Sequence, residues 1–216
     1  MNRVLLTGFG AYADEADNPS GAIARRLDGQ RIDGFDVSGA VVPVDTEQIR
    51  PALSAAIEFT RPDVVILTGV APGRTAPALE RVAINVRDFP IPDIAGRTPI
   101  DEPVVTDAPA AYFTTLPVKA IVDAWRRVGI PGYVSQTAGT YLCNQVFYLA
   151  RHLLRESTAR VGMLHIPATP PRAAAVAMPP IPSMAIDHLE EAVRLAISIA
   201  ARHEGPDLSI GGGAIS

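Results

Sequence analysis

Thiols are all but missing from this chain. Cys143 is the only cysteine in 216 residues, which excludes an internal disulfide and any zinc site built from several cysteines. Excess positive charge is missing too: 19 Lys and Arg against 23 Asp and Glu leave a net charge of −4, with no basic footprint for nucleic acid. No apolar run approaches the about 20 residues that span a bilayer. The first residues, Met1 to Gly8, run directly into a strand pattern without a signal-like segment, so a cytoplasmic protein with no membrane contact is expected. Hydrophobic residues make up 48% of the chain, enough for a well-packed core. Neither a repeat nor a second domain is visible. The expectation is one domain over residues 1–205 and a glycine-rich, flexible tail over 206–216.

The order of elements points to an α/β class. Val4-Leu5-Leu6, ended by Thr7-Gly8, has the look of a buried parallel strand. After a loop from Phe9 to Asp17, Asn18-Pro19-Ser20 reads as a helix start, with Asn18 as N-cap and proline at the first helical position. That helix runs to about Leu27. A strand over Phe35–Val42, a helix over Thr46–Phe59 and a strong strand over Pro62–Gly69 complete an alternating pattern, which predicts a mostly parallel sheet with helices on both faces. Further along, a strand is expected over Leu79–Val86, a helix over Val118–Val128, short strands at Tyr133–Ser135 and Arg160–Ile166, and a long amphipathic helix over Ser183–His203. Prolines cluster at 90–103 and 167–182, which reads as two long ordered loops.

Ligand sites in such sheets lie beyond the carboxyl ends of the strands. The loops after Thr7, after Gly69, after Ser135 and at His165 are therefore expected on one rim, which gathers Phe9, Arg74, Cys143 and His165. Cys143 follows the turn-prone run Thr137-Ala138-Gly139-Thr140 and precedes a helix-like run from Val146 to Leu154. A thiol at a helix start is favoured as thiolate by free N–H groups and the helix dipole. A lone cysteine can equally be an inert core residue. His165, at the end of an apolar strand before Pro167, makes Cys143 a candidate nucleophile, because an imidazole can take the thiol proton. His152, in a helix, and His188 and His203, on the last helix, are poorer candidates. A third group should orient the imidazole. Glu80 and Asp88 are the acids near the third strand's loop, and spacing alone does not choose between them.

Four blocks resemble the pyroglutamyl peptidase I (pyrrolidone carboxyl peptidase) family of cysteine peptidases. They are Thr7-Gly8-Phe9 with Asn18-Pro19-Ser20; Gly69 to Arg74 with Glu80 to Asn85 and Ile91-Pro92-Asp93; Ser135 to Asn144; and Leu164-His165-Ile166-Pro167. The resemblance implies a single three-layer α/β/α sandwich around a twisted, mostly parallel sheet. It implies a triad of Cys143, His165 and Glu80 that removes N-terminal pyroglutamyl residues from peptides without a metal or organic cofactor. The positions matching the family's aromatic walls around the lactam ring are Phe9, Tyr12 and Tyr141, and Asn18 and Arg74 are further expected on the substrate side. Bacterial members are often tetramers, so a homo-oligomer, tetramer or dimer, is expected, with the apolar loops at 89–105 and 167–184 as its surfaces.

The sequence also departs from the family pattern. The opening reads Gly8-Phe9-Gly10-Ala11-Tyr12 where Gly-Phe-x-Pro-Phe is common. Pro90 stands where arginine is common and Ile94 where asparagine is; Arg87 is a nearby candidate substitute. These changes touch the pocket and leave the triad. They motivate the alternative of a catalytically weak or inactive homologue that binds a lactam-like ligand. A phosphate-binding enzyme, with an anion held at the Asn18-Pro19-Ser20 helix start, lacks a P-loop or Rossmann fingerprint.

Overall fold

The two least interrupted apolar runs become the central strands, β1 (Arg3–Phe9) and β4 (Val64–Val70), buried along almost their whole length. The computed structural model describes residues 2–12, 18–176 and 179–213. Residues 13–17 of the first expected loop, 177–178 of the second proline-rich segment and 214–216 of the expected tail lie outside the described residues. Around the central pair run α1 (Pro19–Leu27), β2 (Arg31–Ile32), β3 (Phe35–Val42), α2 (Ile49–Thr60), β5 (Ala78–Glu80), β6 (Val82–Ile84), β7 (Ala111–Phe113), α3 (Val118–Arg127), β8 (Tyr133–Ser135), α4 (Leu142–Leu153), β9 (Arg160–Ile166), α5 (Pro170–Ala175) and α6 (Ile186–Arg202).

Seven strands form one sheet in the order β2-β3-β1-β4-β9-β5-β8. The neighbours β3-β1-β4-β9 are parallel, as the alternating pattern predicts. Helices α1, α3 and α6 cover one face through Ile23, Leu27, Ile121, Trp125, Leu189 and Val193. Helices α2 and α4 cover the other through Ile49, Leu53, Val146 and Phe147. The buried Trp125 indole N–H donates to the Ala192 carbonyl at 2.8 Å, which ties α3 to α6. The result is the expected α/β/α sandwich. The chain leaves β1 toward β3 on one side and returns to β4 on the other. A crevice therefore opens at the carboxyl ends of β1 and β4.

Strand direction departs from expectation at one edge. Strand β5 runs antiparallel to β9, and β8 is parallel to β5, so the carboxyl end of β8 points away from the β1, β4 and β9 rim. Only residues 71–77 separate β4 from β5, too few for the crossover of a dozen or more residues that a parallel return needs. The single strand expected over Leu79–Val86 also breaks at Arg81. Its second half, β6, pairs with β7 in a separate two-stranded sheet packed against α4. Asp207, in the segment after α6, accepts from the Lys119 and Ala120 N–H groups at 2.9 and 3.0 Å and so caps α3, whose own N-cap position is Pro117. Residue 207 belongs to the segment expected as a tail.

Glycine decides how closely α1 lies on β1. A Cβ at Gly8 would stand 2.1 Å from the Ser20 carbonyl oxygen, so helix and strand are in backbone contact there. Gly8→Ala is expected to cost about 3 kcal/mol in urea unfolding. Gly211→Ala, where nothing lies within 4 Å of the added carbon, should be within about 0.5 kcal/mol of the parent.

Candidate active site

Cys143 is the second residue of α4, and its sulfur occupies a notch left by a missing side chain. A Cβ at Gly69 on β4 would lie 2.8 Å from Sγ. Gly69 is the register partner of His165 on the neighbouring β9, which puts the imidazole beside the thiol. The N-cap of α4, Tyr141, makes no side-chain cap bond, and the first N–H groups of a helix have no acceptor within it. The turn carrying the thiol is held on both sides by buried amides. Asn144 accepts from the Ile84 N–H at 2.9 Å and donates to the Ile84 and Val86 carbonyls at 2.9 and 3.0 Å. Gln145 donates to the Thr46 carbonyl and accepts from the Thr46 hydroxyl, both at 2.7 Å. The preceding loop is pinned by Thr140, whose hydroxyl donates to the Asp88 carbonyl at 2.6 Å.

Glu80, not Asp88, reaches the imidazole. Glu80 is fully buried, whereas Asp88 is exposed and meets the cysteine loop only through its backbone. His165 Nδ1 lies 2.7 Å from Glu80 Oε1. A carboxylate only accepts, so Nδ1 carries the hydrogen and Nε2 is left for the neighbouring Cys143. Burial pushes the imidazole toward neutrality, but the negative charge and hydrogen bond of Cys143, with those of Glu80, outweigh it and raise its pKa to about 9.

The three aromatic residues expected around the ligand meet in one cleft of about 190 Å³. Phe9, Tyr12 and Tyr141 line it with Asn18, Val44, Val70, Pro72, Ile91, Leu142, Cys143 and Arg172. The Tyr12 and Tyr141 hydroxyls both donate to the Pro92 carbonyl, at 2.8 and 3.0 Å. Burial, and then Tyr12, hold the Tyr141 phenol above its ordinary range. Phe89 braces the Tyr141 ring edge-on with centroids 4.6 Å apart. Beneath them, buried Asp93 accepts from the N–H groups of Thr46, Ala95 and Arg97, each at 2.9 Å. Burial would raise its carboxyl, but these donors hold it below the usual carboxylate range.

Asn18 lines the cleft and also caps α1: its Oδ1 accepts from the Ser20 N–H at 3.0 Å and the Ser20 hydroxyl at 2.7 Å. The Ser20 oxygen in turn accepts the Phe9 N–H at 3.0 Å, so this helix start is already engaged by its own residues. Arg74 stands against Glu80 and is not among the residues lining the cleft, with Nη2 2.8 Å from Glu80 Oε1. Arg87, the candidate substitute for the arginine missing at Pro90, pairs with Glu102 at 2.8 Å and donates to the Thr46 hydroxyl at 3.2 Å. The guanidinium lining the cleft belongs to Arg172 on α5, which the sequence pattern did not single out. Sequence reasoning also passed over Thr46, Asp93, Asn144 and Gln145. Polar residues inside the otherwise apolar start of α4 were the available signal for the last two.

Three outcomes follow from this geometry. In Cys143→Ala the His165 imidazole, followed by NMR, should titrate well below about 9, because its largest raising influence is gone. A folded-state value above the ordinary 6.5 stabilises the fold fully below pH 6.5, and that contribution is lost as pH rises through about 9. Urea unfolding at pH 6 and pH 10 should therefore differ more in the parent than in Cys143→Ala. Asp93→Ala, which loosens the turn presenting the Pro92 carbonyl to both tyrosines, should raise KM several-fold and change kcat little on a ligand held by that wall.

Comparison with known proteins identifies the family. The family profile described as pyroglutamyl peptidase matches residues 2–203. The chain is 44% identical to a pyrrolidone-carboxylate peptidase of Vibrio campbellii, covering 100% of both chains, and 47% identical to one of Klebsiella pneumoniae, covering 99% of both. Among solved structures, the pyrrolidone carboxyl peptidase of Thermococcus litoralis superposes with a TM-score of 0.93 at 35% identity, covering 98% of this chain and 100% of that one. Pyroglutamyl peptidase I of Bacillus amyloliquefaciens gives 0.91 at 36% identity, covering 96% and 100%. With the profile matched over nearly the whole chain and relatives this similar along their full length, the chain belongs to the pyroglutamyl peptidase family.

Proposed function

We propose that the chain is a cysteine exopeptidase that hydrolyses the bond after an N-terminal pyroglutamyl residue. The observation that carries this reading is the buried imidazole, hydrogen-bonded to Glu80 at 2.7 Å and set beside the only thiol, which itself lines an aromatic cleft. The relatives' names supply the substrate class. A flat, neutral lactam ring suits walls of Phe9, Tyr12 and Tyr141 with apolar Val44, Val70 and Ile91 around them.

In this mechanism the Cys143 thiolate attacks the pyroglutamyl carbonyl carbon. The oxygen that becomes negative is met by backbone N–H groups at the first turn of α4, beside Cys143. The tetrahedral centre collapses, the C–N bond breaks, and the imidazolium of His165 gives its Nε2 proton to the leaving amine. A thioester remains on Cys143. Water then attacks it, His165 takes the water proton, and free pyroglutamate leaves as the thiolate and imidazolium are restored. Glu80 holds the ring in the tautomer that keeps Nε2 on the sulfur.

The same reading takes in a cytoplasmic location and self-association. No helix among the described residues is long and apolar enough to cross a membrane. Ile91, Ile94 and Ile100, exposed along the proline-rich segment, offer an apolar surface for a second copy.

With a pyroglutamyl aminomethylcoumarin substrate, Cys143→Ala and Cys143→Ser are expected to abolish turnover, His165→Ala to cost between about 10² and 10⁴ in kcat, and Glu80→Gln less than either. Retained hydrolysis in the Cys143 variants would sink the assignment.

A further inference from the structure

Three contacts converge on one guanidinium outside the cleft. Arg74 Nη2 lies 2.8 Å from Glu80 Oε1 and donates to the Thr137 carbonyl at 3.2 Å; Nη1 reaches the Tyr133 hydroxyl at 3.4 Å. The guanidinium carbon lies 5.9 Å from the centre of the Tyr133 ring. Glu80 Oε1 is the same oxygen that faces His165 Nδ1 at 2.7 Å, while Oε2 is buried with no hydrogen-bond partner among the described residues. A carboxylate has two equivalent oxygens, and rotation about its last bond exchanges them. Arg74 removes that freedom by gripping the oxygen that the imidazole uses. Thr137 belongs to the loop that leads into Cys143, so one side chain joins the acid on β5 to the loop that delivers the thiol.

Charge points the same way. Glu80 has no solvent exposure, and a buried carboxylate needs a compensating cation. With Cys143 as thiolate and His165 as imidazolium, the four groups Arg74, Glu80, His165 and Cys143 sum to zero. Without Arg74 the cluster carries one net negative charge, which disfavours a second anion at the sulfur. Among the described residues, other ionisable groups near it include Tyr133 on β8, Tyr12 and Tyr141 in the cleft wall, Arg172 at the cleft and Arg81, whose Nε donates to Gln136 at 2.9 Å. Of these, Arg81 and Arg172 remain as cations in an Arg74 variant, and neither has a contact with Glu80 of the kind Arg74 makes.

We propose that Arg74 is a positioning residue of the catalytic machinery, which holds Glu80 Oε1 against His165 and fastens that acid to the Thr137 end of the cysteine loop, and that it does not bind substrate. The proposal rests on the cysteine peptidase reading. Its test uses the full-length protein as Arg74→Gln and Arg74→Lys, with two readouts: kcat and KM on pyroglutamyl aminomethylcoumarin, and the rate at which iodoacetamide alkylates Cys143 between pH 5 and pH 10. Arg74→Gln should lower kcat between about 10- and 100-fold with KM nearly unchanged. It should also move the rise of alkylation to higher pH. Arg74→Lys keeps the charge and should restore the alkylation profile. Its single ammonium lacks the planar reach to Glu80, Thr137 and Tyr133 together, so kcat should recover only in part.

A raised KM at unchanged kcat would make Arg74 a substrate-side residue and overturn the proposal. In Arg74→Gln, a fall in kcat with an unshifted alkylation profile would overturn it too, as the mark of a structural defect alone. If Arg74→Gln does not fold, a Lys variant with wild-type kcat overturns it, and one with reduced kcat, normal KM and normal alkylation supports it. Failure of the wild-type protein to hydrolyse the substrate would count against the peptidase reading, while the alkylation arm would still test Arg74.

Discussion

Glu80 is a carboxylate with no exposure to water, and that single buried charge organises the site around it. An ion in a protein interior persists only when donors and opposite charges replace the hydration it lost. Here the replacements are the His165 imidazole at 2.7 Å and the Arg74 guanidinium at 2.8 Å. Each comes from a different part of the sheet. His165 sits near the end of β9, Arg74 on the short connection after β4, and Glu80 on the strand that this connection turns back. The antiparallel direction of β5 therefore shapes the site: it brings an acid in from beside the rim, level with the strand that carries the imidazole.

The thiol is placed by a different kind of constraint. Its sulfur lies where a β4 side chain would have been, over Gly69, and the helix turn that carries it is clamped by buried amides on either side. The Asn144 clamp reaches the small β6–β7 sheet, and the Gln145 clamp reaches Thr46, which is tied to Asp93 and hence to the turn beneath Tyr12 and Tyr141. Thiol and cleft wall thus share one hydrogen-bonded frame. Packing of this sort resists small displacements, which is what a reaction sensitive to the placement of attacking atoms requires.

Much of this was legible residue by residue. The apolar runs at Val4–Leu6 and Val64–Leu67 announce buried strands because strands covered on both faces need no polar alternation. Asn18-Pro19 marks a helix start because a side-chain acceptor and a fixed φ satisfy the first turn locally, and Asn18 does cap α1. Cys143 and His165 could be placed together because parallel strands end on one rim. The two do lie side by side, but β8 does not share that rim, and it is the loop 136–141 that carries the chain to the start of α4. The choice between Glu80 and Asp88 was not open to spacing, because burial and direction of approach separate them. Arg74 was expected on the substrate and stands behind the acid, as a rim position says nothing about which way a long side chain turns.

By itself, the sequence determined the alternation of strands and helices and the single thiol at a helix start, because those follow from local periodicity, capping and composition. Only the tertiary structure decided the directions of β5 and β8, the burial of Glu80 between two cations, the notch at Gly69 and the capping of α3 by Asp207. Each of these depends on groups brought together from separate elements, where the short 71–77 connection, the loss of solvent and the close approach of backbones set the outcome.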